Sequence, residues 1–84
     1  MSIEGEESLQ TLLEFLVKNL VDEPTLVQVS EIPGDDSTTY EIRVGPNDLG
    51  KVIGKQGRIA NAIRTVAKAS AMKTKRKVFV EIVA

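Results

Sequence analysis

The sequence predicts an α+β domain with the order α-β-β-α-α-β, a three-stranded mixed sheet carrying three helices on one face. Three observations lead there. Apolar residues recur at helical spacing in two long segments, Leu9 to Leu20 and Ile59 to Val66. Two short runs of alternating apolar and polar residues flank the turn signal Pro33-Gly34-Asp35-Asp36, which predicts an antiparallel hairpin. A third β-rich run closes the chain. Helix-forming sequence separates it from the second, so these two strands are expected to be parallel neighbours joined by a helical crossover.

Taken in order, residues 1–7 are expected as an acidic flexible leader and residues 8–84 as the domain. Ser8 is a candidate N-cap for a helix running to about Val21 or Asp22, with Pro24 as its stop. Leu9, Leu12, Leu13, Leu16, Val17 and Leu20 form its apolar stripe, and Phe15 lies off the centre. Leu26 to Ile32 reads as the first strand and Thr38 to Val44 as the second. In the latter, Tyr40, Ile42 and Val44 face one way and Thr39, Glu41 and Arg43 the other. Gly45-Pro46-Asn47-Asp48 breaks the pattern, and Asn47 or Asp48 is placed to cap a short helix holding Leu49, Val52 and Ile53. Arg58 to Met72 is the clearest helix. Its inner face is predicted as Ile59, Ala62, Ile63, Val66, Ala67 and Ser70, its outer face as Arg58, Asn61, Arg64, Thr65 and Lys68. A basic loop, Lys73 to Lys77, leads to a last strand from Val78 to Val83.

With 84 residues the chain makes one small domain, which buries only roughly 60–65% of its unfolded surface. A hydrophobic fraction of 42% and a charged fraction of 27% suit a globular chain rather than a disordered one. Cysteine and histidine are both absent. That excludes disulfides, thiolate nucleophiles, imidazole bases and the common zinc sets, so no metal, cofactor or catalytic residue is expected. The lack of disulfides is compatible with the cytosol, and a cytoplasmic location is the expectation. No run approaches the ~20 apolar residues of a membrane span, and the acidic start has no signal-peptide core.

The net charge of −1 hides a strong asymmetry. Residues 1–42 hold ten acidic side chains and one basic one, Lys18, whereas residues 43–84 hold ten basic and two acidic, Asp48 and Glu81. This distribution points to a polyanionic partner for the second half. The bland alternative is that the two halves neutralise each other across the fold.

The basic half contains Gly50-Lys51-Val52-Ile53-Gly54-Lys55-Gln56-Gly57 between the two helices. It is not a nucleotide-hydrolysing phosphate loop. Gly45 to Lys51 fits that pattern, but Val52 stands where Ser or Thr must hold magnesium, and Pro46 removes an amide. A bare G-x-x-G also serves as an ordinary helix-to-helix turn. Here both intervening residues are polar, and Arg58 opens the next helix. A cation at a helix N-terminus is mildly unfavourable, by about 0.3–1 kcal/mol, unless an anion binds there. Glycines also let a phosphate backbone approach without meeting a Cβ.

This eight-residue signature resembles that of the KH domain, whose G-x-x-G loop clamps about four nucleotides. The element order resembles the type II KH fold. Extended through Arg58-Ile59-Ala60-Asn61-Ala62-Ile63-Arg64-Thr65-Val66, the match is close to the small stand-alone bacterial KH proteins of the KhpA (YlqC) family. The resemblance implies a non-catalytic domain that binds single-stranded RNA. It implies backbone contacts at Gly54, Lys55, Gln56 and Gly57, extended by Arg58, Lys51, Asn61 and Arg64. The basic segment, with Lys73 and Lys75, would close the groove, and Val52, Ile53 and Ile59 would offer an apolar floor or serve as core. The family further implies an RNA chaperone or post-transcriptional regulator linked to cell shape and envelope growth, a homodimer, and a larger Jag-type KH partner. The competing reading is a self-association module using Phe15, Phe79 and the alanines Ala67, Ala69 and Ala71, with RNA contact secondary. The three aromatics, Phe15, Tyr40 and Phe79, lie away from the clamp in sequence, which argues against stacking platforms such as the RRM or OB-fold and is consistent with the little stacking that the KH resemblance implies.

Overall fold

The computed structural model describes residues 5–72 and 75–84. The elements follow in the expected order: α1 (Gly5–Lys18), β1 (Gln28–Pro33), β2 (Ser37–Arg43), α2 (Leu49–Ile53), α3 (Arg58–Ala71) and β3 (Lys77–Val83). Short 3₁₀ turns at Pro24–Leu26, Pro46–Asp48 and Lys55–Gly57 punctuate the chain.

The sheet order is β1-β2-β3. β1 runs antiparallel to β2, with Val29 opposite Ile42 and Glu31 opposite Tyr40. β2 runs parallel to β3, with Tyr40 opposite Val80 and Ile42 opposite Ile82. Both pairings follow from the connections, a tight turn for the first and a helical crossover for the second. Pro33 can close β1 because β1 is an edge strand and Pro33 its last residue.

The inward-facing residues Val29, Tyr40, Ile42, Val78 and Val80 meet Leu9, Leu13 and Val17 of α1, Val52 of α2, and Ile63, Ala67 and Ala71 of α3. Tyr40, Leu13, Ile42, Val17 and Val52 lose essentially all contact with solvent. The Gln10 amide donates to the Val29 carbonyl at 2.8 Å and ties α1 to the edge strand. At the far end of the hairpin, Arg76 acts as a staple. Its guanidinium donates to Thr38 Oγ1 (3.2 Å), the Gly34 carbonyl (3.2 Å) and the Ser37 carbonyl (2.7 Å). One cation of the basic loop is thus committed to holding the β1–β2 turn against the start of β3.

Three local expectations need correction. Among the described residues helix α1 already runs from Gly5, so Ser8 lies inside it rather than capping it; Glu6 and Glu7 propagate a helix readily. The helix ends at Lys18, before Val21. Both the backbone N–H and the side-chain amide of Asn19 take the Phe15 carbonyl, at 3.2 and 2.7 Å, which is how an Asn diverts backbone bonding at a helix end. Thirdly, α3 is rotated by about one position from the predicted inner face. Its buried residues are Ala60, Ile63, Ala67 and Ala71, while Ala62 and Ser70 are exposed and Val66 retains 37% of its surface. Small alanines let the helix approach the sheet closely, and hydrophobic periodicity underweights them against Ile and Val.

Leu13→Ala should lower unfolding free energy by about 2–5 kcal/mol, the cost of a cavity in a core that cannot collapse around it. Leu12→Ala on the same helix, at 37% exposure, should cost about 1 kcal/mol or less. Urea denaturation of the two variants measures the difference.

Candidate nucleic-acid interface

The turn between α2 and α3 is built by backbone geometry that side chains restrict to glycine at one key point. The Gly54 N–H donates to the Gly50 carbonyl at 2.9 Å and ends α2. Gly54 then adopts φ 77°, ψ 173°, a region that essentially only glycine occupies. A Cβ on Gly54 would also lie 2.7 Å from Ile59 Cγ1 and 3.0 Å from its Cβ. The missing side chain is what allows Ile59 to fold back over the turn.

The chain next makes a tight 3₁₀ turn, with Gly57 N–H donating to the Gly54 carbonyl at 3.2 Å and Arg58 N–H to the Lys55 carbonyl. Gln56 (φ 58°, ψ 24°) and Gly57 (φ 74°, ψ 15°) are both left-handed. For Gln56 that conformation costs about 1–2 kcal/mol. Gly57 precedes α3, which begins without a side-chain cap, so amides of its first turn are available to an anion. Lys55, Gln56 and Arg58 are exposed around this site. The arrangement offers backbone donors and two cations to a phosphate, with no side chain at Gly54 or Gly57 to hold it off.

The other sequence candidates divide. Asn61 and Arg64 lie on α3 beyond the turn, where Arg64 donates to Asn61 Oδ1 at 3.2 Å. Lys51 is exposed but engaged. It hydrogen-bonds Asp22 and lies 3.9 Å from Asp48 Oδ1. The Asp22 bond, aided by both carboxylate charges, raises its pKa above the ordinary 10.5. Its stabilising contribution is therefore present at neutral pH and lost only as pH rises through the raised value. Lys75 is an exposed loop residue with φ 59° near the start of β3. Lys73 lies outside the described residues. Val52 is core, Ile59 is half-buried and Ile53 keeps 36% of its surface.

Asp48, one of the two residues expected to cap α2 alongside Asn47, stands at the N-cap position but makes no side-chain cap hydrogen bond there. Its buried carboxylate instead accepts the backbone N–H groups of Asp22 (3.1 Å) and Glu23 (3.0 Å). A carboxylate so enclosed is tolerable only with such donors. It fastens the loop after α1 to the base of α2, and thereby fixes the helix that delivers the chain into the turn. The sequence offered no signal for this, because the donors are backbone groups about 25 residues away.

A helix–G-x-x-G–helix unit inserted between parallel strands, with an α-β-β unit before it, defines a KH domain. The family model described as KhpA/KhpB, KH domain matches residues 10–82, and the chain belongs to that family. It is 57% identical over 75 residues to the RNA-binding protein KhpA of Clostridium acetobutylicum, a match covering 89% of this chain and 100% of the relative. The RNA-binding protein KhpA of Aquifex aeolicus is 47% identical over 75 residues, covering 89% and 95%. Among solved structures, Aquifex aeolicus Era bound to GDP and AlF4− superposes with a TM-score of 0.61 at 24% identity, over 92% of this chain. Era in complex with MgGDPNP and nucleotides 1506–1542 of 16S ribosomal RNA gives 0.59 at 24% identity, over 89% of this chain. This chain spans 31% and 29% of those two proteins, and the likeness is one of fold.

Gly54→Ala should destabilise the domain by about 2–3 kcal/mol or more, through strain and the Ile59 clash together. Gly57→Asn should cost about 1 kcal/mol or less, since Asn tolerates the left-handed region and a Cβ there meets nothing closer than 4.0 Å. Thermal unfolding followed by circular dichroism distinguishes the two.

Proposed function

We propose that this domain binds single-stranded RNA, without catalysis, by clamping its phosphate backbone on Gly54-Lys55-Gln56-Gly57. The observation that carries the reading is the pair of left-handed residues, Gln56 and Gly57, leading into an uncapped helix between the exposed cations Lys55 and Arg58. Membership of a family whose relatives are named RNA-binding proteins supports it. Arg58, Asn61 and Arg64 extend the contact along α3. Lys51 contributes only if the strand competes with Asp22 for it. The resemblance extends the proposal to a cytoplasmic RNA chaperone or post-transcriptional regulator tied to cell shape and envelope growth.

The double variant Lys55→Asp/Gln56→Asp tests the clamp. Both side chains are exposed, and Asp accepts the left-handed conformation at least as well as Gln. The fold should survive, while fluorescence anisotropy with an unstructured RNA should show affinity falling at least about tenfold. For the unsubstituted protein, log K against log salt should slope by about −2, as for roughly three phosphates neutralised on a single strand. Undiminished binding by the folded double variant would sink the assignment.

A second reading, self-association, is favoured by a further surface. Of the residues expected to serve it, Ala67 and Ala71 are buried and unavailable, while Phe15, Phe79 and Ala69 are exposed. Between α1 and α3, however, Leu16, Leu20, Ile59, Ala62 and Val66 line an apolar groove of about 430 Å³. Leu20 and Val66 expose 38% and 37% of their surface there. We read this groove as the contact for a second copy of the chain or for a Jag-type KH partner. Ala62→Glu, at an exposed position in the groove, should convert a dimer to monomer in light scattering with little loss of stability. A dimer that persists would place the interface elsewhere.

A further inference from the structure

We infer that Phe79 is a base-stacking platform for RNA that extends beyond the G-x-x-G clamp, an inference that rests on the clamp reading. Tyr40 is fully buried, and Phe15 stands on α1 in the acidic half of the chain. Phe79 alone combines exposure with a basic surround. It retains 52% of its surface on the sheet face away from the helices, beside Thr39 of β2.

Two clefts at the β3 edge of the sheet are lined in part by Phe79. One, of about 390 Å³, is bounded by Arg64 and Lys68 of α3, by Val80 and by Glu81. The other, of about 300 Å³, is bounded by Lys68, Met72, Lys75 and Lys77. Lys68, Val78 and Phe79 belong to both. Arg76 reaches the second cleft but spends its guanidinium on the hairpin turn. Among the described residues, Lys68, Lys75 and Lys77 enter no ion pair, and Glu81 is the one carboxylate lining either cleft.

An exposed aromatic ring flanked by unneutralised cations suits a nucleotide, whose base offers a π-face and whose phosphate offers a charge. A basic protein surface would be repelled, and an apolar one would leave the lysines desolvated and unpaired. Lys68 lies ten residues beyond Arg58 on one continuous helix, about 15 Å along its axis. A strand held at the clamp therefore passes Arg64 and Lys68 before it reaches Phe79, past the roughly four nucleotides that a G-x-x-G loop spans. Stacking tolerates any base, so the platform would add affinity for length rather than for sequence.

The test compares an unstructured RNA of about ten nucleotides with one of about four, the span of the clamp alone. Phe79→Thr keeps strand propensity and removes the ring; Phe79→Tyr keeps the ring. Phe79→Thr should weaken binding of the longer strand about five- to thirtyfold, within the range for one stacked base, and leave the shorter unchanged, while Phe79→Tyr binds both normally. In the unsubstituted protein, Phe79 ring-proton resonances should shift with the longer RNA and not with the shorter, a readout that needs no variant to fold. Equal weakening by Phe79→Tyr, unshifted ring resonances, or full binding of the longer strand by Phe79→Thr would each overturn the inference. So would a Phe79→Thr variant that loses self-association while binding RNA normally, which would assign the face to a protein partner. Lys55→Asp/Gln56→Asp separates the two proposals. If it abolishes binding of both strands while Phe79→Thr changes neither, the platform falls and the clamp stands. If it changes neither strand, the clamp reading falls and this inference with it.

Discussion

Everything at the candidate site depends on one close approach, that of Ile59 to the bare Cα of Gly54. With no Cβ in the way, the Ile59 side chain packs where a methyl group would sit at 2.7 Å, and the chain passes from α2 into α3 through only the four residues Gly54 to Gly57. That short connection forces the left-handed geometry of Gln56 and Gly57 and presents the start of α3 to solvent. Strain at Gln56 is then a consequence of packing, sustained by the helices on either side. The loop needs little further support because its shape is set by what flanks it.

What flanks it is in turn secured from a distance. Val52 anchors α2 in the core, and Asp48 at the foot of the same helix holds the amides of Asp22 and Glu23. The loop after α1 thereby becomes part of the foundation of the turn. Lys51 adds a surface link to Asp22, an exposed pair worth little by itself. The load falls on Asp48, whose burial makes its hydrogen bonds expensive to lose.

The architecture was legible because it rests on periodicity and connection length. Alternation in Tyr40-Ile42-Val44 and Val78-Val80 gave the inward face, and the helical insertion gave the parallel pairing. The turn was legible through its glycines. What the sequence concealed was rotation and long-range polar bonding. Ala60, Ala67 and Ala71 bury more completely than Val66, yet a hydrophobicity pattern ranks them below it. Asp48 and Arg76 look like a cap and a loop cation, and become fasteners only once β1, β2 and the loop after α1 come near. Phe79 was visible as an aromatic outside the clamp. Its cationic frame appears only when α3 lies alongside β3.

The division of charge between the halves admitted two explanations, and the pairing pattern discriminates between them. If the acidic half existed to neutralise the basic half, the cations would be found on carboxylates. Lys51 is, through Asp22 and Asp48, and Arg43 lies 3.5 Å from Glu41. Lys55, Arg58, Arg64, Lys68, Lys75 and Lys77 enter no ion pair among the described residues. The unpaired cations run from the Gly54–Gly57 turn along α3 to the start of β3. Like charges kept together at the surface repel one another in the free protein. Under the proposed function a polyanion threading the row would relieve that repulsion, so the same side chains that weaken the free domain slightly would favour its complex.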